Sequence, residues 1–142
     1  MTSSGGASTD TDHGALIDLA RRHLSDSYAP FSKFKAGAIA LTADGTRHPG
    51  VIVENVSLGL AMCAERVAMF ATVAAGDRPV ALALAAPDTD GGLTWPCGAC
   101  LQVALELGGP EMVIVVGDDD RGDTSSSTVG ALLPHGPKVQ LD

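Results

Sequence analysis

The sequence predicts an α/β fold, a mixed sheet of about four or five strands covered by helices. Three observations carry this. Short apolar runs of strand length alternate with stretches at helical spacing. Gly and Pro fall between these stretches, where turns belong. The 142 residues, 45% apolar and 18% charged, suffice to bury one core and contain no membrane-length apolar run.

In chain order, Met1 to Asp10 are small and polar and lack the basic and apolar regions of a secretory signal. They read as a mobile tail, drawn to residue 12, ahead of one domain over 13–142, and the expected compartment is the cytoplasm. Leu16, Leu19, Ala20, His23 and Leu24 recur at helical spacing behind a candidate Asp12 cap, and this helix should end before Pro30. His23 reads as an ordinary histidine of the helix face. Lys35 to Leu41 reads as a strand, Ala43-Asp44-Gly45-Thr46 as a hairpin turn, and Val51 to Val53 as the start of the return strand.

Ala61 to Ala75 carries neither Gly nor Pro and reads as a helix ended by Gly76-Asp77, with Cys63 and Glu65 in its first turn. Val80 to Ala86 is an apolar strand, and Asp88 to Gly92 a loop. Pro96 precedes a helix from Gly98 to Leu107 that stops at Gly108-Gly109-Pro110. Met112 to Val116 is a further strand, Gly117 to Asp123 an acidic loop, and Ser125 to Thr128 caps a short helix running to Leu133.

All three cysteines fall in two stretches, Cys63-Ala64-Glu65-Arg66 and Pro96-Cys97-Gly98-Ala99-Cys100. The Cys-x-x-Cys pair offers two thiolates to one metal ion and Cys63 a third, which leaves one place of a tetrahedral zinc open. Structural zinc sites are usually closed by four protein ligands, so three favours chemistry. Glu65 lies close enough to reach a water in the open place without ligating the metal. Both motifs open helices, where the peptide dipoles and free N–H groups stabilise thiolates. Arg66, one turn after Cys63, can hydrogen-bond the sulfurs and withdraw charge from them. An odd cysteine count argues for thiolate chemistry in a reducing compartment rather than a disulfide framework.

The formal net charge of −8, from 9 basic and 17 acidic residues, repels a phosphate backbone. The five aromatics are too few to line a stacking channel for a nucleic-acid polymer. A free small molecule is the expected partner, with no polymeric nucleic acid and no membrane.

The chain resembles the small, homotetrameric, zinc-dependent cytidine deaminases. The resemblance is carried by Ser27-Tyr28-Ala29-Pro30-Phe31-Ser32-Lys33-Phe34, Val53-Glu54-Asn55-Val56-Ser57, the two cysteine motifs and Ala131-Leu132-Leu133-Pro134. It implies a three-layer α/β/α sandwich with a mixed five-stranded sheet, a homotetramer or homodimer with shared active sites, and hydrolysis of cytidine or deoxycytidine to the uracil nucleoside with release of ammonia. It further implies one zinc per chain on Cys63, Cys97 and Cys100, and Glu65 as the proton shuttle. Phe34 would be a pocket wall, Glu54 a sugar-hydroxyl contact, Ala64 a further substrate contact and Arg66 a support behind the ligands.

Four positions depart from the family pattern. Ile52 stands where an Asn is usual, Pro137 where an aromatic follows Leu-Leu-Pro, and Leu101 where an Arg follows the last cysteine, while Trp95 adds bulk before Pro96. A site that loses a hydrogen-bonding partner loses the discrimination that bond supplied. Two alternatives therefore stand beside cytidine: a sugar-modified cytosine nucleoside of the blasticidin S kind, or another amino-heterocycle, and a non-catalytic zinc or thiol module in which Glu65 has no duty.

Overall fold

The computed structural model describes residues 5–120 and 122–139, with the backbone alone over 5–12. Its elements are α1 (Gly5–Arg22), β1 (Gly37–Thr42), β2 (Arg47–Val51), α2 (Ala64–Ala74), β3 (Pro79–Ala85), α3 (Gly98–Gly108), β4 (Val113–Gly117), β5 (Thr124–Thr128) and α4 (Val129–Leu132). The expected tail over 1–12 lies outside the described residues up to residue 4, and from Gly5 the backbone is already helical, ahead of the Asp12 cap.

The five strands form one sheet in the order β2-β1-β3-β4-β5. β1 pairs antiparallel with β2 and β3, β3 runs parallel to β4, and β5 closes the other edge antiparallel to β4. The parallel pair arises because α3 carries the chain back across the sheet between β3 and β4, as such a pair requires.

Alternation along the strands divides the core into two layers. Ile39, Ala83, Ala85 and Val115 face α1 and meet Leu16, Ile17 and Ala20. Ala38, Ala40, Leu82, Leu84, Ile114 and Val116 face the other way, against Ala64, Ala68 and Met69 of α2 and Leu101, Ala104 and Leu105 of α3. The result is a three-layer α/β/α sandwich. Small residues let the layers close: a Cβ at Gly37 would meet the Ala20 carbonyl of α1, and one at Gly50 the Ala64 carbonyl and Ala68 amide of α2.

Two strands differ from the sequence expectation. The return strand begins at Arg47 and ends at Val51, earlier than the expected start at Val51. It contains Pro49, which reads as a strand breaker, but β2 is an edge strand, where a missing N–H is tolerated. The segment Thr124–Thr128, expected only to cap a helix, is the fifth strand, and its Thr-Ser-Ser-Ser-Thr sequence offers no apolar alternation to read. Thr128 also does the expected capping, accepting from the Ala131 N–H at 3.2 Å. His23 is half-buried on its helix end, with Nδ1 3.2 Å from Asp26 Oδ2.

Candidate active site

Cys63 and Cys97 are not inside their helices but at the N-cap of α2 and α3, with extended backbones at ψ 149° and 168°. Each carbonyl accepts the first helical bond, from Val67 N at 3.2 Å and from Leu101 N at 2.9 Å. Cys100 lies in the first turn of α3, fully buried. Two helix N-termini, each with unsatisfied N–H groups and the positive end of its dipole, thus converge on three sulfurs.

The Sγ atoms of Cys63 and Cys97 are 4.0 Å apart and those of Cys97 and Cys100 3.6 Å, and all three lie within 4.8 Å of one another. A tetrahedral zinc with bonds of about 2.3 Å sets its sulfur ligands roughly 3.8 Å apart, so the cluster has the size the ion needs. All three thiols are free. Arg66 donates from Nη2 to Cys63 Sγ at 3.3 Å, and its buried Nε has no hydrogen-bond partner among the described residues. A guanidinium group beside the sulfurs suits an anionic thiolate cluster. The three thiols are placed to hold one zinc ion.

The electrostatics agree. A hydrogen bond from the Cys100 thiol, together with Arg66, pulls the Cys63 thiol down to about 5. The same bond and burial push Cys100 up, since one proton serves both sulfurs until a cation replaces it. Arg66 is raised above its ordinary value by its bond to Cys63 and stays charged.

Glu65, next but one to Cys63, is 5% exposed. Burial pushes its carboxyl up to about 7, the negative charge on Cys63 adding to the rise and its own backbone N–H opposing it. A carboxyl near neutrality can both take and give a proton.

These groups open onto a cleft of about 170 Å³ at the C-terminal end of β3, lined by Phe34, Ile52, Ala64, Glu65 and Trp95 among others. Ligands of open α/β sheets commonly bind at such strand ends. Phe34 and Ala64 line this cleft, and so do Ile52 and Trp95. Leu101 instead packs in the core against α2, and Pro137 lies away from the cleft, its carbonyl accepting from Gln102 Nε2 at 2.7 Å.

Glu54 does not line the cleft. One carboxylate oxygen accepts from the backbone N–H groups of Phe31 at 2.9 Å and Ser32 at 3.2 Å, and the other from the Ser32 hydroxyl. The Ser32 hydroxyl, foremost among these donors, holds the carboxyl below its ordinary value even against partial burial. Sequence reasoning missed Ser32, and no local signal could have found it, because its partner is 22 residues away.

Residues 10–116 match the family described as "Cytidine and deoxycytidylate deaminase zinc-binding region". The cytidine deaminase of Mycobacterium tuberculosis is 43% identical over 105 residues, which cover 74% of this chain and 78% of that protein. That of Sporosarcina psychrophila is 37% identical over 119 residues, 84% of this chain and 86% of that protein. The crystal structure of cytidine deaminase from Burkholderia pseudomallei is 44% identical and superposes with a TM-score of 0.80 over 86% of this chain and 96% of that one. Three thiols gathered at two helix ends beside a buried carboxyl, on a fold and sequence shared this widely, mean that the chain belongs to the zinc-dependent cytidine and deoxycytidylate deaminase family.

Proposed function

We propose that this chain hydrolyses the 4-amino group of a free cytosine nucleoside, cytidine or 2′-deoxycytidine, giving the uracil nucleoside and ammonia. The observation that carries the reading is Glu65, a buried carboxyl held near neutrality between the thiol cluster and an apolar cleft. The relatives named above are cytidine deaminases, which supports cytidine over a modified nucleoside and catalysis over a purely structural zinc module.

Zinc on Cys63, Cys97 and Cys100 supplies Lewis acidity that brings the pKa of water toward about 7. Glu65 takes the proton of the attacking water and passes it to ring N3, which makes C4 electrophilic. A C4–O bond forms; Glu65, deprotonated again, then takes the proton of the new C4 hydroxyl and delivers it to the exocyclic nitrogen, and the C4–N bond breaks as ammonia departs and C4 becomes a carbonyl. Phe34 and Ala64 pack against the ring and exclude water, which strengthens each polar contact made to it. Arg66 draws charge from the Cys63 sulfur. Glu54 accepts three hydrogen bonds of the roughly four a carboxylate can take, leaving one for a sugar hydroxyl.

The working unit is the domain over 13–142, assembled as a homotetramer or homodimer in the cytoplasm and serving pyrimidine salvage. Exposed Val56, Leu58, Leu60 and Phe70 support association, since a lone chain would leave them in water. The net charge of −8 supports a small nucleoside over a nucleic-acid polymer. No helix among the described residues is long and apolar enough to cross a membrane.

Incubation of purified protein with cytidine, deoxycytidine, sugar-modified cytosine nucleosides and other aminated heterocycles, with ammonia measured, tests the reading. Release from cytidine or deoxycytidine is expected. Release from modified nucleosides alone would move the substrate, and release from none would remove the activity. Sedimentation of the same sample reads the assembly.

A further inference from the structure

The cleft wall contains an aromatic ring whose position is set from outside the cleft. Phe34 follows the turn 30–32, and its backbone N–H donates to the Ser32 hydroxyl at 3.0 Å. That hydroxyl in turn donates to Glu54, which also accepts the Phe31 and Ser32 N–H groups. Between Ser32 and Phe34, Lys33 adopts φ 63°, a left-handed conformation that an L side chain enters at a cost. Its N–H is used, donating to the Ala29 carbonyl at 3.0 Å. A turn with an unfavourable φ beside an aromatic needs something to hold it, and Glu54 supplies three of its hydrogen bonds while standing outside the cleft.

We propose that Glu54 is a positioning residue which acts through Ser32 to hold Phe34 in the cleft wall. The inference deepens the deaminase reading and rests on it for its kinetic arm. A sugar contact at Glu54 concerns only the group that bears the hydroxyl. A hold on Phe34 concerns the ring, and so governs how the base is presented to Glu65 whatever the sugar.

The consequence is a coupling between two residues whose side chains serve different ends of the site. Neighbours joined through a shared backbone segment show non-additive effects, whereas independent contacts add. If Glu54 works through Phe34, its removal matters only while Phe34 has an aromatic ring to place. If it works only through a sugar hydroxyl, its removal costs the same whether the ring is present or not.

Trp95 gives a readout independent of turnover. It is the one tryptophan of the chain, and it lines the same cleft as Phe34. Displacement of Phe34 opens the wall of the cleft that the indole shares and admits water to it, so the Trp95 emission moves to longer wavelength.

The experiment compares the zinc-loaded wild type with Glu54→Gln, Ser32→Ala, Phe34→Ala and the double variant Glu54→Gln/Phe34→Ala. Cytidine kcat/KM and Trp95 emission are measured for each. Glu54→Gln is expected to lose about tenfold in kcat/KM alone and clearly less than that when added to Phe34→Ala, the non-additivity of a shared unit, with any sugar-hydroxyl contact accounting for the remainder. Ser32→Ala, which keeps the carboxylate but cuts its link to Phe34, is expected to lose about three- to tenfold, the worth of one hydrogen bond. Glu54→Gln and Ser32→Ala are each expected to red-shift Trp95, with no further shift from Glu54→Gln once Phe34 is Ala.

Equal losses from Glu54→Gln in both backgrounds would overturn the proposal, as would wild-type emission in Glu54→Gln and Ser32→Ala. Should Glu54→Gln not fold, Ser32→Ala decides, because it leaves the carboxylate in place, and wild-type kinetics and emission in that variant overturn the proposal. Should the wild type deaminate nothing, the deaminase reading fails and the emission arm still decides the inference.

Discussion

Arg66 stands one helical turn from Cys63 and places Nη2 3.3 Å from its sulfur, while its buried Nε has no partner among the described residues. The pair ties the second helix of the fold to the thiol cluster, and it explains how three thiolates can share one divalent ion without an uncompensated surplus of negative charge. Groups that orient or neutralise ligands typically change metal affinity by about 10- to 100-fold when removed. Arg66→Ala should weaken zinc by that order, read by competition with a chelating dye, and retention of wild-type affinity would reduce Arg66 to a packing residue.

One zinc per chain follows from the sulfur geometry, and it should be found by elemental analysis of the purified protein. Cys97→Ala should lose the metal and lower the melting temperature together, because ligand binding and folding share one free energy. A melting temperature unmoved by chelator would show that the fold does not depend on the ion.

Glu65→Gln should keep both zinc and fold, since the amide is nearly the same size and the residue is not a ligand. It should still lose at least about 100-fold in kcat, because an amide can neither take nor deliver the protons. Near-normal turnover in a zinc-loaded variant would remove Glu65 from the reaction.

Ile52 is half-buried on the cleft wall, and both of its backbone groups are used, the N–H to Ala36 O at 3.1 Å and the carbonyl by Tyr28 N at 3.0 Å. The backbone should therefore survive substitution. Ile52→Asn should raise cytidine over 2′,3′-dideoxycytidine by several-fold to about tenfold in kcat/KM, the worth of one added hydrogen bond. If the side chain serves only to pack, the ratio stays put and the melting temperature falls.

Asp118, just after the fourth strand, accepts from Arg21 of the first helix at 3.1 Å. Partial burial raises its carboxyl, but the Gly122 and Asp120 N–H groups and Arg21 outweigh this and leave it below its ordinary value. A lowered folded pKa means stability that is present above the unfolded value near 3.9 and is lost as pH falls through the folded one. The melting-temperature gap between wild type and Asp118→Asn should hold from neutrality to about pH 5 and close below about pH 3. A gap independent of pH would assign the effect to packing.

The chemistry of the site was legible in the chain because it is local. Cys63 and Glu65 sit two residues apart at one helix start, Cys97 and Cys100 sit one turn apart at another, and a helix N-terminus favours a thiolate wherever it occurs. The apolar strands β1, β3 and β4 could be read for the same reason, since burial on both faces demands continuous apolar residues.

What the tertiary structure decided is what depends on neighbours distant in the chain. Thr124–Thr128 is a strand only because β4 offers an edge to pair with, and Pro49 is tolerated because β2 is an edge strand, with nothing among the described residues paired beyond it. Gly37 and Gly50 look like turn residues until α1 and α2 are seen to close against them. Glu54, which the resemblance marks as a sugar-hydroxyl contact, gains its bonds to the Phe31 and Ser32 N–H groups only when the chain folds back onto it. Sequence determines which groups are present and what each can do within a turn or two. Packing determines which of them meet, because the free energy of each such contact depends on surfaces that the rest of the chain supplies.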